Sequence, residues 1–253
     1  MEKFEIENGK LIAYNDFDKE ETVIVPEGVT CIGEGAFGLA DRYIKELVLP
    51  STIKTLEEGS LSGLLWMKKV TIPDNDIDFG EGVFFECYNL KRVKLPKSTK
   101  IIPVEMFGRC TDLEYVVKPN TVEEIGDSAF YMCNSLQTID LTGVKRIGVY
   151  AFYECKSLEN VEMPDTVTEL DDCAFEACEN IKTLRLSENI ERIGEFTFWG
   201  CKSLEFVEIP KSVKVIEKKA FGSCTSLKEI AVPKGCKLNW GWKKDTDAKV
   251  IRY

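Results

Sequence analysis

Apolar residues return along this chain on a count of about 23, and within each period they fall in one order. Residues 157–178, SLENVEMPDTVTELDDCAFEAC, and 203–224, SLEFVEIPKSVKVIEKKAFGSC, share L-x-x-V-x-[LIM]-P-x-x-V-x-x-[IL]-x-x-x-A-F-x-x-C. A fixed period of this length means stacked turns of a solenoid, each burying its apolar face against its neighbours. The opening L-x-x-V-x-[LIM] alternates as a short strand does, with apolar side chains inward and the x positions outward. Proline follows and ends the strand, since it has no N–H to give a ladder; Pro103 alone of the nine prolines lies elsewhere. The V-x-x-[IL] run predicts a second short extended piece. Ala-Phe then predicts a tight helical turn that returns the chain to the next strand.

The most regular signal is a phenylalanine. Phe84, Phe107, Phe130, Phe152, Phe175, Phe198 and Phe221 follow one another at 23 residues, with one gap of 22, and Phe37 and Leu61 extend the series backward. Turns begin near Glu20, Ile44, Met67, Leu90, Leu113, Leu136, Leu158, Ile181, Leu204 and Leu227, giving nine with a partial tenth. No turn is expected to fold alone, because the backbone entropy of ordering it exceeds what its few apolar side chains return. The chain divides into a capping hairpin over 1–19, the solenoid over 20–235 and a C-terminal cap over 236–253. The hairpin rests on Asn8-Gly9 between short apolar runs. In the last segment Trp240 and Trp242 are expected to cover the final turn, and Lys249 to Tyr253 to form a closing strand.

Ten cysteines change the picture less than their number implies. Cys87, Cys110, Cys133, Cys155, Cys178, Cys201 and Cys224 share one place in the repeat, three residues after the phenylalanine. Stacked turns put neighbours about 4.8 Å apart, yet parallel side chains in a ladder bridge poorly. The expectation is a reduced packing ladder, with cysteine acting as a small buried hydrophobe. That fits a reducing compartment, so the chain as given reads as cytoplasmic. A cell-surface or secreted location is the alternative if a leader has been removed. Residues 1–10 hold no apolar leader core and no stretch of about 18 apolar residues occurs, so no membrane insertion is expected. A net charge of −10 and a pI near 4.9 disfavour nucleic acid as a general partner.

With no histidine in 253 residues, Ser-His-Asp and Cys-His catalysis and histidine metal sites are excluded. No phosphate loop or dinucleotide fingerprint occurs. Carboxylates are many but fall at surface positions without an insertion that could form a cleft. Asp74, Asp76 and Asp78 alternate as in a calcium loop, but the glycine comes one place late and Phe85 stands where the closing glutamate belongs. A solvated acidic turn is the simpler reading. No enzyme, catalytic residue, cofactor or metal is expected.

The run I-P-x-x-V-x-x-I-G-x-x-A-F-x-x-C-x-S-L resembles the BspA-type leucine-rich repeat. Val122, Ile125, Gly126, Ala129, Phe130 and Cys133 carry it, as do Val213, Ile216, Ala220, Phe221 and Cys224. The resemblance covers about nine-tenths of the chain. It implies a leucine-rich-repeat solenoid, a right-handed curved coil that is mostly β with short helical turns. It also implies kinship with bacterial and protozoan surface proteins that adhere to host or partner proteins.

Binding is expected on the concave face, where the outward strand positions line up. There Lys68, Lys69, Lys91, Arg92 and Lys94 form a basic cluster edged by Tyr115 and Val117. Such a patch suits an acidic protein partner or an anionic glycan; its plainer reading is a solvated strand face whose lysines block edge pairing. Phe206 is an outward aromatic, either an anchor for a partner or a single exposed apolar residue. Phe85, Tyr131, Tyr153 and Trp199 form a row after the core phenylalanine that could stack on sugars or cover the turn beneath. The chain is therefore read as a monomeric, non-enzymatic scaffold for protein–protein interaction, with carbohydrate or host-surface adhesion as the alternative.

Overall fold

The structure is a computed structural model that describes residues 2–15, 19–38, 43–239, 241 and 246–253. The chain winds into a β-solenoid of about ten turns. One face carries three-residue strands in parallel register: Thr22–Ile24, Glu46–Val48, Lys69–Thr71, Arg92–Lys94 and Tyr115–Val117 form one sheet. Further along lie Asn160–Glu162 with Thr183–Arg185, then Phe206–Glu208 with Glu229–Val232. Their central residues, among them Leu47, Val93, Val161 and Val207, are buried, with Leu184 half-buried, and the residues on either side face outward. A second face carries two-residue strands such as Cys31–Ile32, Glu124–Ile125 and Val215–Ile216, again stacked in parallel.

The corner between the faces differs from expectation. No helix is present among the described residues, and the Ala-Phe segment is a chain of tight turns instead. Two residues four apart, one on each side of the phenylalanine, take left-handed φ: Glu105 and Arg109, Tyr150 and Glu154, Cys173 and Ala177. A left-handed residue ends a helix, so two of them this close leave no room for one. The conformation turns alternate N–H groups toward the next coil. Glu105, Phe107 and Arg109 donate to the carbonyls of Asp127, Ala129 and Tyr131 at 3.0, 2.8 and 2.6 Å. The corner is thus a third ladder between turns, which a helix bonded within itself could not supply.

Inside it the rings of Phe84, Phe107, Phe130, Phe152, Phe175, Phe198 and Phe221 form one stack, with neighbouring centroids 4.9–5.6 Å apart. Beside the stack each ladder thiol donates to a carbonyl of the turn before, Cys87 to Leu61 O at 3.2 Å and the other six to the phenylalanine O, as Cys110 does to Phe84 at 3.0 Å and Cys155 to Phe130 at 3.1 Å. All ten cysteines are unbridged, and Cys31 is the only one not buried. The thiols satisfy corner carbonyls, which explains why cysteine rather than alanine holds the position. We expect a thiol reagent to find one fast group, Cys31, in the native protein and about ten after unfolding without reductant. A count well below ten would show bridges and contradict this packing.

At the N-terminus Phe4–Glu7 and Lys10–Tyr14 pair antiparallel around Asn8-Gly9, both at positive φ, and the second strand stacks on Cys31–Ile32. At the other end Lys249–Arg252 pairs in parallel with Glu229–Val232. The expected cover by Trp240 and Trp242 lies outside the described residues.

The ladders are interrupted at several places. The turn that begins at Leu136 is one residue short and lacks the proline, and its residues 138–140 form no strand. Lys118 stands in the preceding turn where other turns carry Leu95 or Met163. It is buried, and its Nζ donates to Thr142 O at 2.7 Å. Burial pushes the Lys118 ammonium down from the ordinary lysine range. On the second face the sheet stops at Asp78–Phe79 and restarts at Ile101–Ile102, then stops at Glu169–Leu170 and restarts at Arg192–Ile193.

Candidate functional site

The three-residue strands place the basic cluster. Lys69 pairs with Arg92 and Arg92 with Tyr115, so the three side chains stand in a column at strand spacing. Lys68, Lys91 and Lys94 flank that column, all exposed. The guanidinium of Arg92 lies over the Tyr115 ring at 4.6 Å, which fixes a flat cationic surface with an aromatic base.

The same geometry shows what the sequence reading missed. Lys69 is paired with Glu46 of the turn before. Lys91 and Arg92 both reach Glu114 of the turn after, at 3.5 Å. Lys68 and Lys94 make no ion pair among the described residues, so the unspent positive charge is carried by these two. Exposed pairs of this kind each contribute about 0–1 kcal/mol; they trim the field of the patch more than they stabilise the fold. The signal was legible, because Glu46 and Glu114 precede and follow the lysines by one repeat length.

Phe206 does not join this patch. It is 48% exposed and stands four turns from Tyr115, about 19 Å at strand spacing. The aromatic row is not an open platform either. Tyr131 and Tyr153 stack on each other at 4.9 Å. Phe85 and Trp199 lean over Gly108 and Gly222 of the next turn, where an added Cβ would meet each ring at 2.8 Å. Half-buried in this way, the rings roof the corner.

In the acidic turn the alternating carboxylates are held apart by different contacts. Asp74 accepts from Lys97 N at 2.8 Å and pairs with its ammonium at 2.9 Å, while Asp78 lies in a strand against Thr55. Among the described residues no group of three or more Cys, Asp or Glu is placed to hold a metal ion. No helix among them is long and apolar enough to cross a membrane.

Fold and surface together define a repeat protein: a β-solenoid, without helix among the described residues, that carries a patterned strand face. The BspA type leucine-rich repeat region matches in six copies over residues 11–137 and 123–239, and the chain belongs to that family. Among solved structures, a leucine-rich repeat protein of T. pallidum is 24% identical over 77% of this chain and 82% of its own, with a TM-score of 0.54. A leucine-rich repeat protein of Bacteroides ovatus is 21% identical over 93% and 88%, TM-score 0.49. A leucine-rich cell surface protein of Faecalibacterium prausnitzii is 20% identical over 95% and 90%, TM-score 0.42. No curated protein matches the chain. Leucine-rich repeat proteins of this kind are typically surface repeat proteins without enzymatic activity.

Proposed function

We propose that the chain is a binding scaffold that holds an acidic protein surface on its three-residue-strand face, through Lys68, Lys69, Lys91, Arg92, Lys94 and Tyr115. The observation that carries this reading is the alignment of Lys69, Arg92 and Tyr115 in one column, with the free ammonium groups of Lys68 and Lys94 beside it. A pre-stacked Arg–Tyr pair loses little freedom on binding and is the kind of anchor that dominates interfaces. The unbridged cysteines support a reducing compartment as part of the same reading.

The test is a paired capture from lysate and surface fractions of the source organism. One bait is the native chain; the other carries Lys68, Lys69, Lys91, Arg92 and Lys94 changed to glutamate. All five are exposed, so the variant should fold, as circular dichroism will verify. The expected result is a protein held by the first bait and lost by the second. Its capture should weaken as salt rises from about 0.05 to 0.5 M, which shortens the screening length to a few ångströms. The same proteins on both baits would remove the patch from the mechanism and leave Phe206 as the remaining outward anchor.

A further inference from the structure

The outward columns of the three-residue-strand face change character at the short turn. In the column of Lys69, Arg92 and Tyr115, charge gives way after Tyr115 to Thr138, Asn160, Thr183 and Phe206, and returns at Glu229 and Lys249. In the neighbouring column Gln137 is the one uncharged residue between Lys45 and Lys228. A lysine only donates hydrogen bonds and a carboxylate only accepts them, whereas an amide or a hydroxyl does both. Gln137, Thr138, Asn160 and Thr183, all exposed, thus present mixed donors and acceptors where most of the face presents ions. The Thr183 hydroxyl donates to Asn160 Oδ1 at 2.5 Å, which orients the Asn160 amide and leaves its N–H groups without a partner. The side chains of Gln137 and Thr138 make no hydrogen bond among the described residues.

The surface is hollow at the same place. Residues 138–140 form no strand, and two hollows of about 510 and 490 Å³ flank the column, each of a size that suits a small ligand. Asp140, Glu162 and Arg185 line the first, Gln137, Ser157 and Asn180 the second, and Thr138 and Asn160 line both. The cations nearby are spent: Lys182 pairs with Glu159 and Arg185 with Asp165, both at 3.0 Å. Asp140 accepts from Thr142 N at 2.8 Å, and neither it nor Glu162 has an ion pair among the described residues. An aromatic ring closes the neutral run at each end. Arg92, from the turn before, covers one face of Tyr115, which leaves the other to the side of Thr138. Phe206 stands about 19 Å further on at strand spacing.

We propose that this stretch binds an uncharged, extended glycan laid along the solenoid axis. Its sugar rings rest on Tyr115 and Phe206, whose negative faces attract the positively polarised C–H groups of a sugar. Its hydroxyl groups, which both donate and accept, bond to Gln137, Thr138, Asn160 and Thr183. Asp140 and Glu162 repel anionic sugars and accept bonds from neutral ones. No apolar side chain stands outward in this column between the two rings, so a protein would lack the buried centre on which interfaces are anchored; a glycan needs none. The site shares only Tyr115 with the basic patch and uses none of the corner rings Phe85, Tyr131, Tyr153 and Trp199.

The test is calorimetric titration of the full chain with two uncharged hexasaccharides, cellohexaose and N-acetylchitohexaose, and with cellobiose as a short analogue. At least one hexasaccharide should bind with a Kd of about 1 mM or tighter. Its affinity should be the same at about 0.05 and 0.5 M salt, because no ion pair is there to be screened. Cellobiose cannot reach from ring to ring and should bind at least tenfold more weakly. In NMR spectra the side-chain amides of Gln137 and Asn160 should shift on titration, and that of Asn89, held by Leu65 O on another turn, should not. Phe206→Ala should weaken binding at least tenfold, as should the pair Gln137→Ala and Asn160→Ala. All three side chains are exposed, so these variants should fold, as circular dichroism will verify. Absence of binding by both hexasaccharides overturns the proposal. So does affinity that falls steeply with salt, or a Phe206→Ala chain that binds as the native one does. Cellobiose binding as tightly as a hexasaccharide would equally overturn a site that spans the two rings. None of these outcomes bears on the acidic-protein reading, which is tested at the lysines.

Discussion

Phe152→Ala is expected to remove about 3–5 kcal/mol of unfolding free energy, the usual cost of emptying a buried aromatic site. Phe152 is fully buried and stacks on both sides, 5.3 Å from Phe130 and 4.9 Å from Phe175. Its turn is also the short one, without a strand on the first face, so the ring stack carries a larger share of the contact between the two halves than it does elsewhere. In a solenoid each turn touches only its neighbours, and a weakened interface lets the parts unfold separately. Urea titration should therefore show a lowered midpoint and a shallower slope, the mark of lost cooperativity. Phe221→Ala, at the end of the described stack with one stacked neighbour, should lower the midpoint without that change in slope. Phe152→Leu should cost much less, because Leu61 already occupies the same place in its own turn with no exposure. A loss below about 1 kcal/mol for Phe152→Ala would mean that the three backbone ladders, and not the rings, hold the halves together.

The period alone made most of this architecture legible. Buried Val23, Leu47 and Val93 lie where the alternation puts them, and Asn8-Gly9 turns the hairpin that its residue types require. The corner was not legible, because its left-handed positions are held as often by Glu105, Tyr150 or Lys219 as by glycine. Nothing in those side chains marks positive φ; the conformation comes from the bonds to the neighbouring turn. The basic patch was legible as a column of cations. Its partial neutralisation by Glu46 and Glu114 required reading the acidic positions in the same ladder.

The buried thiols should make the protein collapse in mild alkali. Burial pushes Cys87 up to about 12 and holds Cys110, Cys133, Cys155, Cys178 and Cys201 above the ordinary thiol value near 9. In the unfolded chain these groups ionise near that ordinary value. A group whose folded pKa is raised contributes stability that is present below the unfolded pKa and lost as pH rises toward the folded one. Above pH 9 the unfolded state sheds protons that the folded state keeps, so unfolding becomes easier with each step. Six such thiols set a limiting slope of about 8 kcal/mol per pH unit, at 1.36 kcal/mol per unit for each. Against a typical domain stability of about 5–15 kcal/mol, the fold should fail within about two units above pH 9. Thermal unfolding under reductant should give a flat midpoint from pH 7 to 8.5 and a steep fall beyond it. Cys133→Ala with Cys178→Ala should start lower at pH 7, having lost two hydrogen bonds to Phe107 O and Phe152 O, yet fall less steeply. The crossing slopes separate thiol ionisation from the general alkaline titration of lysine and tyrosine, which both proteins share. A midpoint that stays level to pH 10.5 in the native chain would mean that the ladder thiols ionise in place, and the corner would then have to hold thiolates beside backbone carbonyls.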